Sequence, residues 1–166
     1  MLLDQSLFTE LLNAAAQNPR RRAFRNLHQN YAEPVQRVLI AIQPDSYVPP
    51  HRHVEVQQWE LFVVLAGSID FLQFDDQGMV TERKTVTAGS AMTGLELPPG
   101  VWHSIVAAPH GAVFLEVKQG PFDPSQPRHF AAFAPNEQDE HALDYLHWLR
   151  TANPGDASPV WQEKAE

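Results

Sequence analysis

Three imidazoles and one carboxylate are spaced in this chain so that strands would bring them together. His51 and His53 are one residue apart, Glu60 opens an apolar run that ends at Gly67, and His103 closes the stretch Leu97-Pro98-Pro99-Gly100-Val101-Trp102-His103. In a strand, residues two apart point to the same face. His51 and His53 therefore project side by side. On a strand over residues 59–65, Glu60 shares a face with Phe62 and Val64, and a short connection would turn that face toward the histidines. Nitrogen and oxygen donors without a thiolate suit a borderline divalent metal; Fe, Mn, Ni, Zn and Cu all accept them. The expected cofactor is one divalent transition metal on His51, His53, Glu60 and His103. On a six-coordinate ion these ligands leave about two positions open, which favours ligation of a substrate or oxygen over a purely structural ion. A metal-free arrangement in which His and Glu work as acid and base is the competing reading. His110, His129, His141 and His147 read as turn, loop or helix-surface residues.

The elements that must position these residues read as a barrel of short strands. Residues 35–42 form a strongly apolar strand, turned by Pro44-Asp45-Ser46. Residues 47–54 carry the two histidines, and residues 59–65 lead to a turn at Ala66-Gly67-Ser68. Residues 69–74 alternate, Asp75-Asp76-Gln77-Gly78 is a hairpin signal, and residues 79–86 form a more polar strand. Residues 91–97 and 101–107 follow, and Pro109-His110-Gly111 turns into residues 112–118. Turn signals about every ten residues indicate a β-sandwich or barrel. A helix is expected over residues 6–17, capped by Ser6 or Asp4, within an N-terminal helical region 1–19. A second is expected over residues 137–150, capped by Asn136. The barrel core is expected over residues 31–118, and the tail after Pro154-Gly155 is expected to be loose.

Composition narrows the function. The chain has 166 residues, enough for one domain with its own core. Its net charge of −8 argues against nucleic acid or an anionic membrane as a partner. The absence of Cys removes disulfides and thiolate ligands and is compatible with a reducing cytoplasm. The N-terminus lacks a basic signal-peptide region, and no apolar run approaches the ~18 residues of a membrane span.

His51, His53, Glu60, Gly67, Pro98, Gly100 and His103 resemble the marked positions of the two cupin motifs. There are departures: Pro44-Asp45-Ser46 stands where the first motif opens on glycine, and Ala107 stands where the second ends on Asn. Six residues separate His53 from Glu60, more than the family interval, with strand parity kept. A wider match covers residues 20–135. RNLH from Arg25 to His28, VQRVLIAIQPDSYVPPHRH, WELFVVLAGSI, LPPGVWHS and FLEVKQGPFDP resemble the WbuC family of cupin-fold metalloproteins. The resemblance implies an all-β fold with peripheral helices, a single cupin jelly-roll β-barrel with a bound metal. It also implies a setting in bacterial polysaccharide (O-antigen) metabolism, without an established reaction, and a homodimer joined through an edge strand.

A ligand at such a metal needs groups to orient it. Arg20, Arg21, Arg22 and Arg25 crowd basic charge into six positions of an acidic chain. Arg25, Asn26 and His28 are expected to fold over the barrel mouth and hold an anionic or sugar-derived small molecule. Tyr47 shares the parity of His51 and His53, and Lys118 shares a strand face with Glu116, so both are further candidates. The expected activity is metal-dependent chemistry of the isomerase, epimerase or dioxygenase kind on a small sugar-derived or carboxylate compound. The alternatives are a non-catalytic metal- or sugar-binding or sensor module, and a metal-free cupin like the sugar-nucleotide epimerases.

Overall fold

The computed structural model describes residues 1–53, 59–123 and 128–159. Its elements in chain order are α1 (Gln5–Gln17), β1 (Arg22–Asn26), β2 (Val35–Ile42), β3 (His51–Arg52), β4 (Glu60–Phe74), β5 (Val80–Thr87), β6 (Gly94–Leu97), β7 (Trp102–Gln119), β8 (His129–Phe130) and α2 (Ala142–Thr151). All strand pairs are antiparallel.

Two long strands organise the barrel. The first half of β4 lies between β6 and the second half of β7, and β2 and then β1 continue that layer. The second half of β4 lies between β5 and the first half of β7, and β3 and β8 continue the other layer. β4 and β7 thus pass from one layer to the other through bulges, as strands do at the corner of a jelly roll. The register shifts at Val64/Ala66 and again at Gly67/Ile69. Between the pairs Gly67↔Ala112 and Ile69↔Ala107, residues 108–111 oppose Ser68 alone. The expected turns at Ala66-Gly67-Ser68 and Pro109-His110-Gly111 are therefore bulges in continuous strands. Gly67 has φ +71°, and a Cβ there would stand 2.2 Å from the Gly111 carbonyl oxygen, so the corner closes only on glycine.

Alternation along the strands divides the core. Ile40, Ile42, Phe62, Val64, Ile69, Phe71, Ile105 and Phe114 face the interior between the layers. Leu39, Ala41 and Val113 face outward and are covered by Phe8, Leu11 and Ala15 of α1. Leu72, Phe74, Val80 and Val106 are covered by Tyr145, Leu146 and Leu149 of α2. Covering both faces explains why the second part of β2, residues 38–42, reads as an unbroken apolar run. Each side chain of Phe or Leu size buried this way contributes about 1.5–3 kcal/mol.

Several boundaries differ from the expectation. Residues 22–26, outside the expected barrel core, form edge strand β1. Of the two expected caps of α1, Asp4 is the one used, its Oδ1 accepting from the Leu7 amide at 3.0 Å. The strand expected over 47–54 is reduced to His51–Arg52, and its last residue lies outside the described residues. The second helix begins at Ala142, not Glu137. His141 stands at its N-terminus without a side-chain cap, because the preceding residues form turns that carry Glu137 to Arg20 and Arg22. Beyond α2 the chain is tied down: the Val80 amide donates to the Asp156 carbonyl at 2.9 Å, and Met79 bridges Ala157. The rest of the tail, residues 160–166, lies outside the described residues. Among the described residues, no helix is long and apolar enough to cross a membrane.

Candidate metal centre

The β3–β7 pairing sets His51 directly opposite His103, with ring centroids 4.4 Å apart. The Pro98-Pro99-Gly100 turn aims β7 at this partner: Gly100 has φ +85°, and its amide donates to the His53 carbonyl at 2.6 Å. His51 and His103 are tethered alike. His51 Nδ1 lies 2.9 Å from the Pro49 carbonyl oxygen and His103 Nδ1 lies 3.0 Å from that of Val101. A carbonyl only accepts, so each Nδ1 carries the proton and each Nε2 keeps a free lone pair. A metal-ligating imidazole needs this tautomer and this kind of support.

Glu60 begins β4 and is buried opposite Lys118 of β7. Its Oε1 is 3.2 Å from His53 Nε2 and its Oε2 is 3.4 Å from His103 Nε2. Burial alone would raise the Glu60 carboxyl, but His53, His103 and Lys118 outweigh it and hold the group well below the usual carboxylate range. Burial lowers both His51 and His103, and each ring's neighbour adds or subtracts: His103 lowers His51 further, while Glu60 partly restores His103. The site therefore offers an ionised carboxylate at Glu60 and neutral imidazoles at His51 and His103.

These residues fit a divalent ion in donor chemistry. Donors that share an ion at about 2.1 Å stand roughly 3 Å apart when adjacent, close to the two Glu60–imidazole separations. His53 Nε2 is buried and has no aligned hydrogen bond despite its nearness to Glu60. A carboxylate only accepts, so a lone pair on this nitrogen finds no partner in Glu60 and would be free for an ion. As the side chains stand, no group of three or more His, Asp or Glu among the described residues forms a finished metal cage. Drawing the rings onto a common point is what an ion would add.

The cavity above this cluster is lined by His51, Glu60 and His103, by the apolar Phe24, Ile40, Phe62, Ile105, Phe114 and Phe130, and by Arg20, Arg22, Glu116, Arg128 and Glu137. The cavity has a volume of about 60 Å³. A water needs roughly 10–15 Å³, so the space suits a small ligand. Glu116 is buried in the wall, 2.8 Å from Lys118 Nζ, which also lies 4.0 Å from Glu60 Oε1. Lys118 therefore stands beside the site.

The other expected ligand contacts are placed elsewhere. Arg25 pairs with Glu10 of α1 at 2.7 Å, on the outer face of β1. Asn26 is exposed and does not line the cavity. His28 is buried, but its Nδ1 is engaged by the Arg37 backbone, outside the cavity lining. Tyr47 packs with Tyr145 and donates its hydroxyl to the Pro135 carbonyl at 2.8 Å. For Arg25 the reason is parity: once residues 22–26 form a strand, Arg22 and Phe24 face inward and Arg25 faces α1. Arg20 and Arg22 of the basic cluster and Glu116 of the charged strand face do line the cavity, whereas Arg128 and Glu137 are lining residues that the sequence reading misses. An alternation reading of β1 turns Arg22 inward; Glu137 arrives through a turn that carries no such signal.

A family model described as "Domain of unknown function (DUF6016)" matches residues 3–86. No curated protein matches the sequence. Among solved structures, a mutant of Bacillus subtilis oxalate decarboxylase is 22% identical over 66% of this chain and 27% of its own, with a TM-score of 0.50. The formate complex of Lactobacillus farciminis oxalate decarboxylase is 20% identical over 66% of this chain and 31% of its own, at 0.51. KdgF from a Halomonas species is 14% identical over 66% of this chain and 87% of its own, at 0.50. This chain thus matches less than a third of the length of either oxalate decarboxylase. At these identities the likeness speaks for the fold, which is the cupin jelly roll.

Proposed function

The chain belongs to the DUF6016 family, whose description assigns no activity, and we propose from its own residues that it is a cupin metalloenzyme acting on a small carboxylate or sugar-derived compound. The observation that carries this reading is the pair of carbonyl-tethered imidazoles, His51 and His103, facing the ionised Glu60 at a small, mostly apolar cavity. His51, His53, Glu60 and His103 would hold one divalent transition metal. Such an ion, when bound, polarises a carboxylate or carbonyl oxygen as a Lewis acid. The apolar walls, Ile40, Phe62, Ile105 and Phe114, exclude water around the ligand. Glu116, the carboxylate on the wall next to Lys118, is the group we assign to holding or moving a proton.

The substrate class is supported by cavity size and by the names of two fold neighbours, which concern oxalate and formate. The resemblance to the WbuC family supports a place in bacterial polysaccharide metabolism. The lack of Cys supports a cytoplasmic setting, and the outer edge of β1, unpaired among the described residues, supports a homodimer.

The test is elemental analysis of protein purified without chelator or polyhistidine tag. About one equivalent of metal is expected, and its loss is expected in His103→Ala with the β circular-dichroism signal kept. Less than about a tenth of an equivalent, with none gained on adding Fe, Mn, Ni, Zn or Cu, would remove the metal from the reading. One observation favours a metal-free second reading: Glu60 already touches both His53 and His103. In that case the trio is an acid–base relay, and turnover would survive chelation but not Glu60→Gln.

A further inference from the structure

We propose that Arg20 and Arg22 form a carboxylate-binding subsite in the wall of this cavity, and that Glu137 fills it from within the chain until a small dicarboxylate displaces it. The subsite already holds a carboxylate in the manner of a recognised ligand. Arg20 Nε lies 3.0 Å from each Glu137 oxygen, and Arg20 Nη2 lies 2.8 Å from Oε2. Arg22 Nη2 donates to Oε1. Two guanidinium groups thus grip both oxygens, the geometry for which arginine is suited.

Three observations separate this from an ordinary surface ion pair. First, Arg20, Arg22 and Glu137 line the same cavity as His51, Glu60 and His103. Second, Arg22 is only 5% exposed and is anchored independently of Glu137. Its Nη1 donates to Ser46 Oγ at 2.9 Å and to the Tyr47 carbonyl at 2.6 Å. The cradle therefore keeps its shape when the glutamate leaves, which lowers the cost of binding a replacement. Third, Glu137 is delivered by a turn and not by a packed helix, with α2 beginning only at Ala142. Rotating one side chain of partial exposure vacates the subsite.

Charge makes the replacement an anion. Arg20, Arg22 and Arg128 line the cavity of a chain whose net charge is −8. Glu116 is compensated by Lys118. Once Glu137 swings out, the arginines are left without their carboxylate, and a second anionic group on the ligand would face the His and Glu cluster. The ligand class is a dicarboxylate of a few carbons. The dual attachment rests on the proposed metal centre; the arginine end does not.

Malonate is the probe, measured by isothermal titration on metal-free and Mn-loaded protein at constant ionic strength. Removing the charge of the internal competitor with Glu137→Gln should tighten malonate binding about tenfold, the worth of one charge-assisted hydrogen bond. Arg22→Gln in that background should abolish the gain. Because Glu137→Gln leaves a buried guanidinium without its partner, a folding check accompanies it: malonate should raise the Tm of this variant more than that of the wild type. Arg20→Ala, at an exposed position, should weaken malonate binding without unfolding the protein. Equal affinity in wild type and Glu137→Gln, a gain that survives Arg22→Gln, or no malonate binding to either protein would each overturn the subsite. The metal-free arm separates the two ideas. Failure of metal uptake with the Glu137→Gln gain intact discards the metal centre and keeps the subsite.

Discussion

At the scale of single residues, the cavity is governed by how few charges are compensated, and by what. Glu60 and Glu116 are both buried, and Lys118 is the cation beside both, at 4.0 and 2.8 Å. Removing one partner of a buried pair costs about 3–5 kcal/mol, because the other charge is left in low dielectric. Replacing both with apolar groups is far milder. Lys118→Met should therefore destabilise the metal-free protein by about 3 kcal/mol in urea denaturation. Lys118→Met combined with Glu116→Leu should recover most of that loss. A single mutant within ~0.5 kcal/mol of wild type would show that water, not Lys118, compensates Glu116.

At the scale of elements, the corner between the layers is the demanding point. Gly67 and Gly89 both have positive φ, +71° and +68°, but a Cβ on Gly67 meets the Gly111 carbonyl at 2.2 Å while one on Gly89 meets nothing within 4 Å. Gly89→Ala should cost about 1 kcal/mol, the left-handed backbone penalty alone. Gly67→Ala should cost upwards of ~3 kcal/mol, since backbone must move. Similar denaturation midpoints for the two would refute the contrast. The same corner marks where the sequence could be read and where it could not. β2 was legible because residues 38–42 are apolar on both faces, and α1 because its stripe is periodic. Gly67 and the Pro109-Gly111 stretch announce a break in pairing, but only the distant partner decides whether a break is a turn or a bulge. β1 was hidden by its arginines, whose charge masks the alternation that turns Arg22 inward and Arg25 out. The spacing of His51, His53, Glu60 and His103 was legible because it is local to strand starts. Glu137 was not, because its ion pair with Arg22 spans 115 positions of sequence and overrides the helix start that Asn136 suggests.

For the molecule as a whole, acid should act through the link between the C-terminal turns and the barrel. Burial would raise the Glu137 carboxyl, but hydrogen bonds and charge from Arg20 and Arg22 prevail and hold it below the ordinary 4.5. Because the folded value is the lower one, the unfolded chain binds the proton first as pH falls. The contribution of Glu137 is therefore fully present above about pH 4.5 and is lost as pH drops through the folded value. Urea denaturation should show Glu137→Gln less stable than wild type at pH 7, with the gap narrowing below pH 4.5. A gap that stays constant to pH 3 would mean that the ion pair contributes nothing to stability.

Glu60 and His103 begin the two strands that run through both layers, and each lies at the end of its strand far from the bulged corner. Their 3.4 Å contact is therefore a clasp opposite a hinge. With the corner fixed by glycine contacts and the open end fixed by imidazoles and carboxylate, the sandwich is fastened at both edges. A metal bound at that fastening would also set how often the two layers part, which would make ligand binding and the breathing of the whole barrel one equilibrium.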